Sequence, residues 1–260
     1  MSAYPELHRS ATSTAEHPLV FLHGGNVANW MWAPQVPTFT DRTVLTPDLP
    51  GFGRRVGEDW PGLDAVADDV VARVTAHGVD GPFDLVGLSL GAVTALRVLA
   101  RHPDRVRSAF LTSAPLQPAG PGLRVITRLQ LALWRAAWVW RAQATAFGLP
   151  AESRARYVSH GLSVRRETAV AMYEEVCVGG VPANLGAYAG PLLSIAGEKD
   201  SANVRSSLAP VAAAAPQAEV RLAPGMHHIW NVENTVLFNE VLRSWLAGTV
   251  DPRLIPVTPG

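Results

Sequence analysis

Several kinds of chemistry are short of material in this chain. Cys177 is the only cysteine among 260 residues, which excludes an internal disulfide and any zinc site built on cysteines. Basic and acidic residues balance at 22 each, and the net charge of +0 gives no support for a nucleic-acid or anionic-membrane partner. No apolar run is long enough to span a bilayer, and the amino terminus lacks a basic region followed by an apolar one. The expectation is a soluble cytoplasmic protein. The eight histidines do not fall in a metal-ligand pattern, such as two on one helical face with a nearby acid, so no metal is expected. There is no internal repeat, and the alanine run ending at Ala215 is as close as the chain comes to low complexity.

What is present is apolar material, at 48% hydrophobic against 17% charged residues. That composition supports a sizeable buried core, and the length suits one α/β domain with an insertion. The most informative stretch runs from Pro82 to Ala92, where an apolar strand leads through Gly87-Leu88-Ser89-Leu90-Gly91 into a helix. Gly-x-Ser-x-Gly between a strand and a helix describes a nucleophile elbow. Glycines on either side remove side chains that would collide in so sharp a turn, and Ser89 would stand at the amino end of a helix that favours a developing anion. A glycine-rich turn with an incidental serine would share the local pattern.

Strands alternate with helices through most of the chain. An edge strand is read near Tyr4–Arg9, and buried strands over 17–22, 43–47, 82–88, 105–112, 191–196 and 218–222. Residues 63–77 carry apolar positions at helical period. Further helices are read near Trp30 to Val36 and over 92–100, 203–215 and 234–247, before a proline-containing tail. The alternation predicts a mostly parallel sheet flanked by helices, with ligands beyond the carboxyl ends of the strands. Between Pro115 and Gly190 no strand is needed. The segment 115–190 reads as an inserted helical cap, leaving 1–114 and 191–260 as the core. Its apolar stripe of Leu129, Leu133, Trp134, Ala137 and Trp138 is read mainly as packing, with part facing the cleft.

A serine needs a base held by a third group. Asp200 follows one late strand and His227-His228 the next, giving the chain order serine, acid, histidine. With that order the chain resembles the α/β-hydrolase fold family with a helical cap, over nearly its whole length. Five segments carry the resemblance: His23-Gly24-Gly25, Asp48-Leu49-Pro50-Gly51-Phe52-Gly53, Gly87 to Gly91, Gly197-Glu198-Lys199-Asp200 and Gly225-Met226-His227-His228-Ile229-Trp230. Arg54 and Arg55 stand where the family loop often continues to a serine. Relatives usually carry an extra hairpin before the position of Pro18, so the sheet is expected to have fewer than the family's eight strands.

The resemblance implies Ser89 as nucleophile, His228 as base in preference to His227, and Asp200 as the orienting acid with Glu198 as substitute. Backbone N–H groups of Leu90 and Gly25 would form the oxyanion hole, with Asn26 the fallback donor. Asn26, Trp134, Trp138 and His227 are candidate substrate contacts. Asp48 is read as a structural acid, His23 as a brace for its loop, and Arg135, Arg141, Arg154 and Arg156 as solvated surface. The implied reaction is cofactor-free hydrolysis of a small apolar ester or lactone through an acyl-enzyme, with no nucleic-acid or membrane partner. Serine at the elbow does not suit the alkyl-enzyme chemistry of haloalkane dehalogenases and epoxide hydrolases. The same groups acting on a C–C, thioester or amide bond, and a non-catalytic receptor on this fold, remain alternatives.

Overall fold

A computed structural model describes residues 4–9 and 17–257. Its strands are β1 (Leu7–His8), β2 (Leu19–Leu22), β3 (Val44–Leu45), β4 (Phe83–Leu88), β5 (Val106–Thr112), β6 (Leu192–Gly197), β7 (Glu219–Ala223) and β8 (Ile255–Pro256). Among the described residues they form one eight-stranded sheet in the order β1-β3-β2-β4-β5-β6-β7-β8. Only the two edge strands run antiparallel to their neighbours.

Every residue of β2, β4 and β6 is buried. This is why their sequences read as unbroken apolar runs: a parallel strand covered by helices on both faces has no solvent side to alternate with. The register aligns the strand ends. Leu22 pairs with Gly87, Leu88 with Thr112, Thr112 with Ile195, and Gly197 with Ala223. The loops leaving β2, β4, β6 and β7 therefore open on one edge.

The expectation of fewer than eight strands is overturned. The edge strand expected near the amino terminus is β1, and the carboxyl-terminal tail adds β8 against β7. Pro256 obscured the second of these. Proline cannot donate to a ladder, yet an edge strand tolerates it because one side of its backbone has no partner to satisfy.

The helices are α1 (Leu63–Ala76), α2 (Leu90–Arg101), α3 (Pro121–Ala132), α4 (Ala137–Ala146), α5 (Ala151–Ser163), α6 (Arg166–Val176), α7 (Ala202–Ser206), α8 (Leu208–Ala214), α9 (Trp230–Glu233) and α10 (Thr235–Leu246). The single helix expected over 203–215 is two, because Pro210 lacks an N–H and is tolerated only in the first turn of α8. The short helix expected near Trp30 is a pair of 3-10 turns, Asn29–Trp32 and Val36–Thr38.

Helices α3 to α6 all fall between β5 and β6, and no strand lies among them. They rest over the sheet's open edge: Phe147, just past α4, stacks on His228 with ring centroids 5.7 Å apart. Beneath the last helices, Trp230 is fully buried against Phe238 at 4.7 Å, and Phe238 meets Phe110 of β5 at 5.5 Å. The Trp230 indole N–H donates to Thr112 Oγ1 at 2.6 Å, which ties the segment after His228 to the end of β5.

Candidate active site

Ser89 occupies the turn from β4 to α2 with φ 55° and ψ −115°. A non-glycine residue with positive φ is strained, and the surroundings explain how the strain is held. The Ser89 N–H donates to Thr112 O at 2.9 Å. A Cβ on Gly87 would stand 2.5 Å from Gly91 O, and one on Gly91 would strike the Leu22 carbonyl. Both glycines are therefore places where backbone passes against backbone.

The serine hydroxyl meets His228 Nε2 at 3.0 Å. On the other side of the ring, Nδ1 lies 2.9 Å and 3.1 Å from the two carboxylate oxygens of Asp200. With Nδ1–H donating to Asp200, Nε2 is left to accept from Ser89. Asp200 is buried, and its Oδ1 also accepts the Ser201 N–H at 2.7 Å. Three side chains from the ends of β4, β6 and β7 thus meet as one hydrogen-bonded chain, in which the imidazole can take the serine proton while the carboxylate steadies the ring.

The two late loops are built as a unit. Lys199 N–H donates to Met226 O at 2.8 Å, and a side chain at Gly197 would strike the carbonyls of Met226 and His227. Glu198 accepts the Gly225 N–H at 2.7 Å, so the substitute acid fastens the histidine loop and does not reach the imidazole. His227 is held by Glu233, which its backbone N–H and Nδ1 both bond at 2.8 Å, and it shares a cavity of about 590 Å³ with Ser89.

Leu90 is the first residue of α2, so its N–H has no acceptor within the helix. Gly25 lies alongside, since a Cβ there would be 3.8 Å from Leu90 Cβ. The loop carrying Gly25 is braced from beneath. The buried His23 bonds Gly24 O through Nδ1 at 2.8 Å and accepts the Leu49 N–H at Nε2, 3.0 Å away. Burial lowers its pKa. Asp48 accepts backbone N–H groups of Asn29 (2.8 Å) and Arg54 (3.0 Å), a structural acid as its loop position suggests. Arg54 and Arg55 have their own tasks, pairing with Glu6 at 3.1 Å and Asp69 at 2.5 Å.

Two spaces adjoin the serine. The larger, about 590 Å³, is walled by Ser89, His228, Phe147, Tyr173, Val176 and Cys177 among others. The smaller, about 120 Å³, lies on the Gly25–Leu90 side with Met172 and Tyr157 in its wall.

Neither tryptophan expected to contact substrate lines these spaces. Trp134 is buried between helices, its indole N–H on Val164 O at 2.8 Å and its ring edge-to-face with Trp140 at 4.7 Å; Trp138 is exposed to solvent. The chain leaves helical geometry between α3 and α4, so positions that form one stripe on a continuous helix separate onto different faces. Phe147, Tyr173 and Val176 take the wall positions instead. In the sequence, Met172, Tyr173 and Val176 carry a helical-period signal, but nothing marks that face as the one turned to the cleft.

His160 of α5 was also missed. Its Nδ1–H donates to Asn26 O at 3.1 Å, and its Nε2 accepts the Gly53 N–H at 2.9 Å. Burial pushes its pKa down to about 4. The Asn26 side chain in turn donates to the Tyr173 hydroxyl at 2.8 Å. Asn26, itself at φ 61°, is held by α5 and α6.

The chain is similar to several known proteins. The pimeloyl-[acyl-carrier protein] methyl ester esterase of a serogroup C strain of Neisseria meningitidis is 34% identical over 107 residues, 41% of this chain. That match covers 40% of the relative's own length. A thermophilic esterase from Thermogutta terrifontis superposes with TM-score 0.76 at 22% identity, covering 94% of both chains. The enol-lactonase from Burkholderia xenovorans gives TM-score 0.78 at 19% identity over 93% of this chain and 95% of its own. At those identities the structures attest the fold alone. The model of the alpha/beta hydrolase family matches residues 19–241, from β2 into α10, and the chain belongs to that family.

Proposed function

We propose that the protein is a serine hydrolase of carboxylic esters or lactones, with Ser89, His228 and Asp200 as its catalytic triad. The observation that carries this reading is the 3.0 Å approach of Ser89 Oγ to an imidazole whose far nitrogen is held by a buried carboxylate. In the mechanism, Oγ attacks the acyl carbonyl as Nε2 takes its proton. The oxyanion is received by the N–H groups of Leu90 and Gly25; one such donor is worth on the order of 3 kcal/mol of barrier. His228 then passes its proton to the departing alkoxide. Water, deprotonated by the same nitrogen, cleaves the acyl-enzyme and restores Ser89.

The insertion acts in this reading as a cap that sets substrate choice. Its contribution to the larger cavity is mainly apolar, through Phe147, Val176 and Leu123. That lining suits an apolar, moderately bulky group. An esterase among the sequence relatives supports the same bond class.

A fluorophosphonate probe and a panel of activated esters test the proposal. Wild-type protein is expected to be labelled once per chain and to show a burst of the released alcohol. Ser89→Ala is expected to lose both. Labelling that survives Ser89→Ala, or turnover of amides, thioesters or 1,3-diketones in preference to esters, would overturn it.

A further inference from the structure

Helix α3 carries its apolar face outward. Arg124, Thr127, Arg128 and Leu131 border a groove shared with α6, while Leu123 and Thr127 reach the wall of the larger cavity. At 3.6 residues per turn the opposite side belongs to Val125, Ile126 and Leu129. These are 62%, 62% and 59% exposed, and none of the twelve residues of α3 is buried. Seven of the nine large apolar side chains exposed among the described residues fall within 115–190.

Charge is segregated in the same direction. The neutral total conceals eight arginines and four glutamates in 115–190, a net +4, against fourteen basic and eighteen acidic residues elsewhere. Outside the insertion the acids are largely engaged by arginines. Glu6 pairs with Arg73, Asp68 with Arg101, Asp84 with Arg107, and Asp251 with Arg253. Within it, among the described side chains, Arg165 alone reaches a carboxylate, that of Asp59. Arg124 bonds the backbone carbonyl of Ala119, and Arg128 meets no carboxylate among the described side chains. An exposed apolar ridge on a helix whose other side carries arginines, in a segment of net +4, is the pattern of a helix that lies in a lipid interface, with its apolar face among acyl chains and its cations available to anionic headgroups.

We propose that α3 is a docking surface for an anionic lipid membrane. The net +4 of residues 115–190 makes the expected surface anionic, in contrast to what the net charge of the whole chain suggested. A second copy of the chain fits less well. Most of the acids that would receive these arginines are already paired, and one face of a helix about 18 Å long falls well short of the ~800 Å² per partner that stable association buries.

Flotation of the intact protein with vesicles tests this, using phosphatidylcholine alone or mixed with phosphatidylglycerol. Binding is read without reference to catalysis, so its outcome is independent of the hydrolase proposal. The protein is expected to float with the mixed vesicles, to remain behind with phosphatidylcholine, and to be released by salt. Replacing both Ile126→Glu and Leu129→Glu should lower the partition coefficient at least about tenfold. Each of Arg124→Gln and Arg128→Gln should lower it about fivefold. Val236→Glu, on an exposed apolar position of α10, should leave it unchanged. Circular dichroism of each variant establishes that it is folded. If the α3 variants do not fold, the lipid-charge and salt dependence of the wild type decides. Absence of flotation, equal flotation with neutral vesicles, equal loss in Val236→Glu, or self-association abolished by Ile126→Glu would each overturn the proposal.

Discussion

Two carboxylates sit three positions or fewer from the end of β6, and their surroundings divide the labour between them. Asp200 is buried, bonded to the imidazole and to Ser201 N–H; Glu198 is exposed and bonded to Gly225 N–H. Asp200→Asn is therefore expected to lower kcat on the order of 10⁴-fold, because an amide no longer selects the imidazole tautomer that accepts from Ser89. Glu198→Gln keeps an acceptor for Gly225 and should change kcat by no more than a few-fold. Steady-state kinetics on one activated ester separates the two, and the reverse order of effects would reassign the acid. These residues were legible in the sequence because each lies within a few positions of a strand end, where local motif and topology agree. The position of His228 between Ser89 and Asp200 agrees with its spacing to Trp230, whose burial and bond to Thr112 fix that segment. The tryptophans of the insertion had no such anchor. A helical stripe states which positions share a face, and the break before Ala137 decides which face that is.

At the scale of elements, α5 holds the loop that bears the proposed oxyanion donor. His160 must be neutral to do so, since Nε2 accepts from Gly53 while Nδ1–H donates to Asn26. Burial lowers its pKa from 6.5 to about 4. The folded protein thus binds fewer protons than the unfolded chain between those values, and stability falls as pH drops from about 6.5 towards 4. The full loss from this one group is on the order of 3 kcal/mol. His23, also buried with a lowered pKa, adds in the same direction. Urea unfolding at pH 7 and pH 4.5 should show the decline, and His160→Gln should make it smaller without abolishing it. An unchanged slope would mean that the ring is not held neutral by this environment. The same variant frees the Asn26 carbonyl. In ester kinetics at pH 7 it is expected to lower kcat about tenfold to 100-fold with a smaller change in KM, as a displaced catalytic loop does. No sequence signal pointed to this clamp, because it joins residues 134 and 107 positions apart through single side-chain to backbone bonds.

For the whole molecule, order is unevenly distributed. The sheet and its flanking helices could be read from the sequence because parallel strands buried on both faces announce themselves as apolar runs, and β4 buries all six of its residues and α2 nine of its twelve. The two-residue edge strands β1 and β8 were less visible, being too short to show a period. The insertion lies at the other extreme, with α3 burying none of its residues and α4 only Trp140 and Ala144. Segments with few buried apolar contacts open locally at a small fraction of the global unfolding free energy. Amide exchange should consequently be fastest in α3 and slowest in β4 and α2. Brief trypsin treatment of the native protein should cut first after Arg124 or Arg128, ahead of Arg101 and Arg107 in the flanking core. The nicked protein should keep the cooperative unfolding transition of its sheet, because β4 to β7 and α2 make their contacts without α3. First cleavage within α2, or exchange in α3 as slow as in β4, would show the insertion to be as firmly folded as the sheet beneath it.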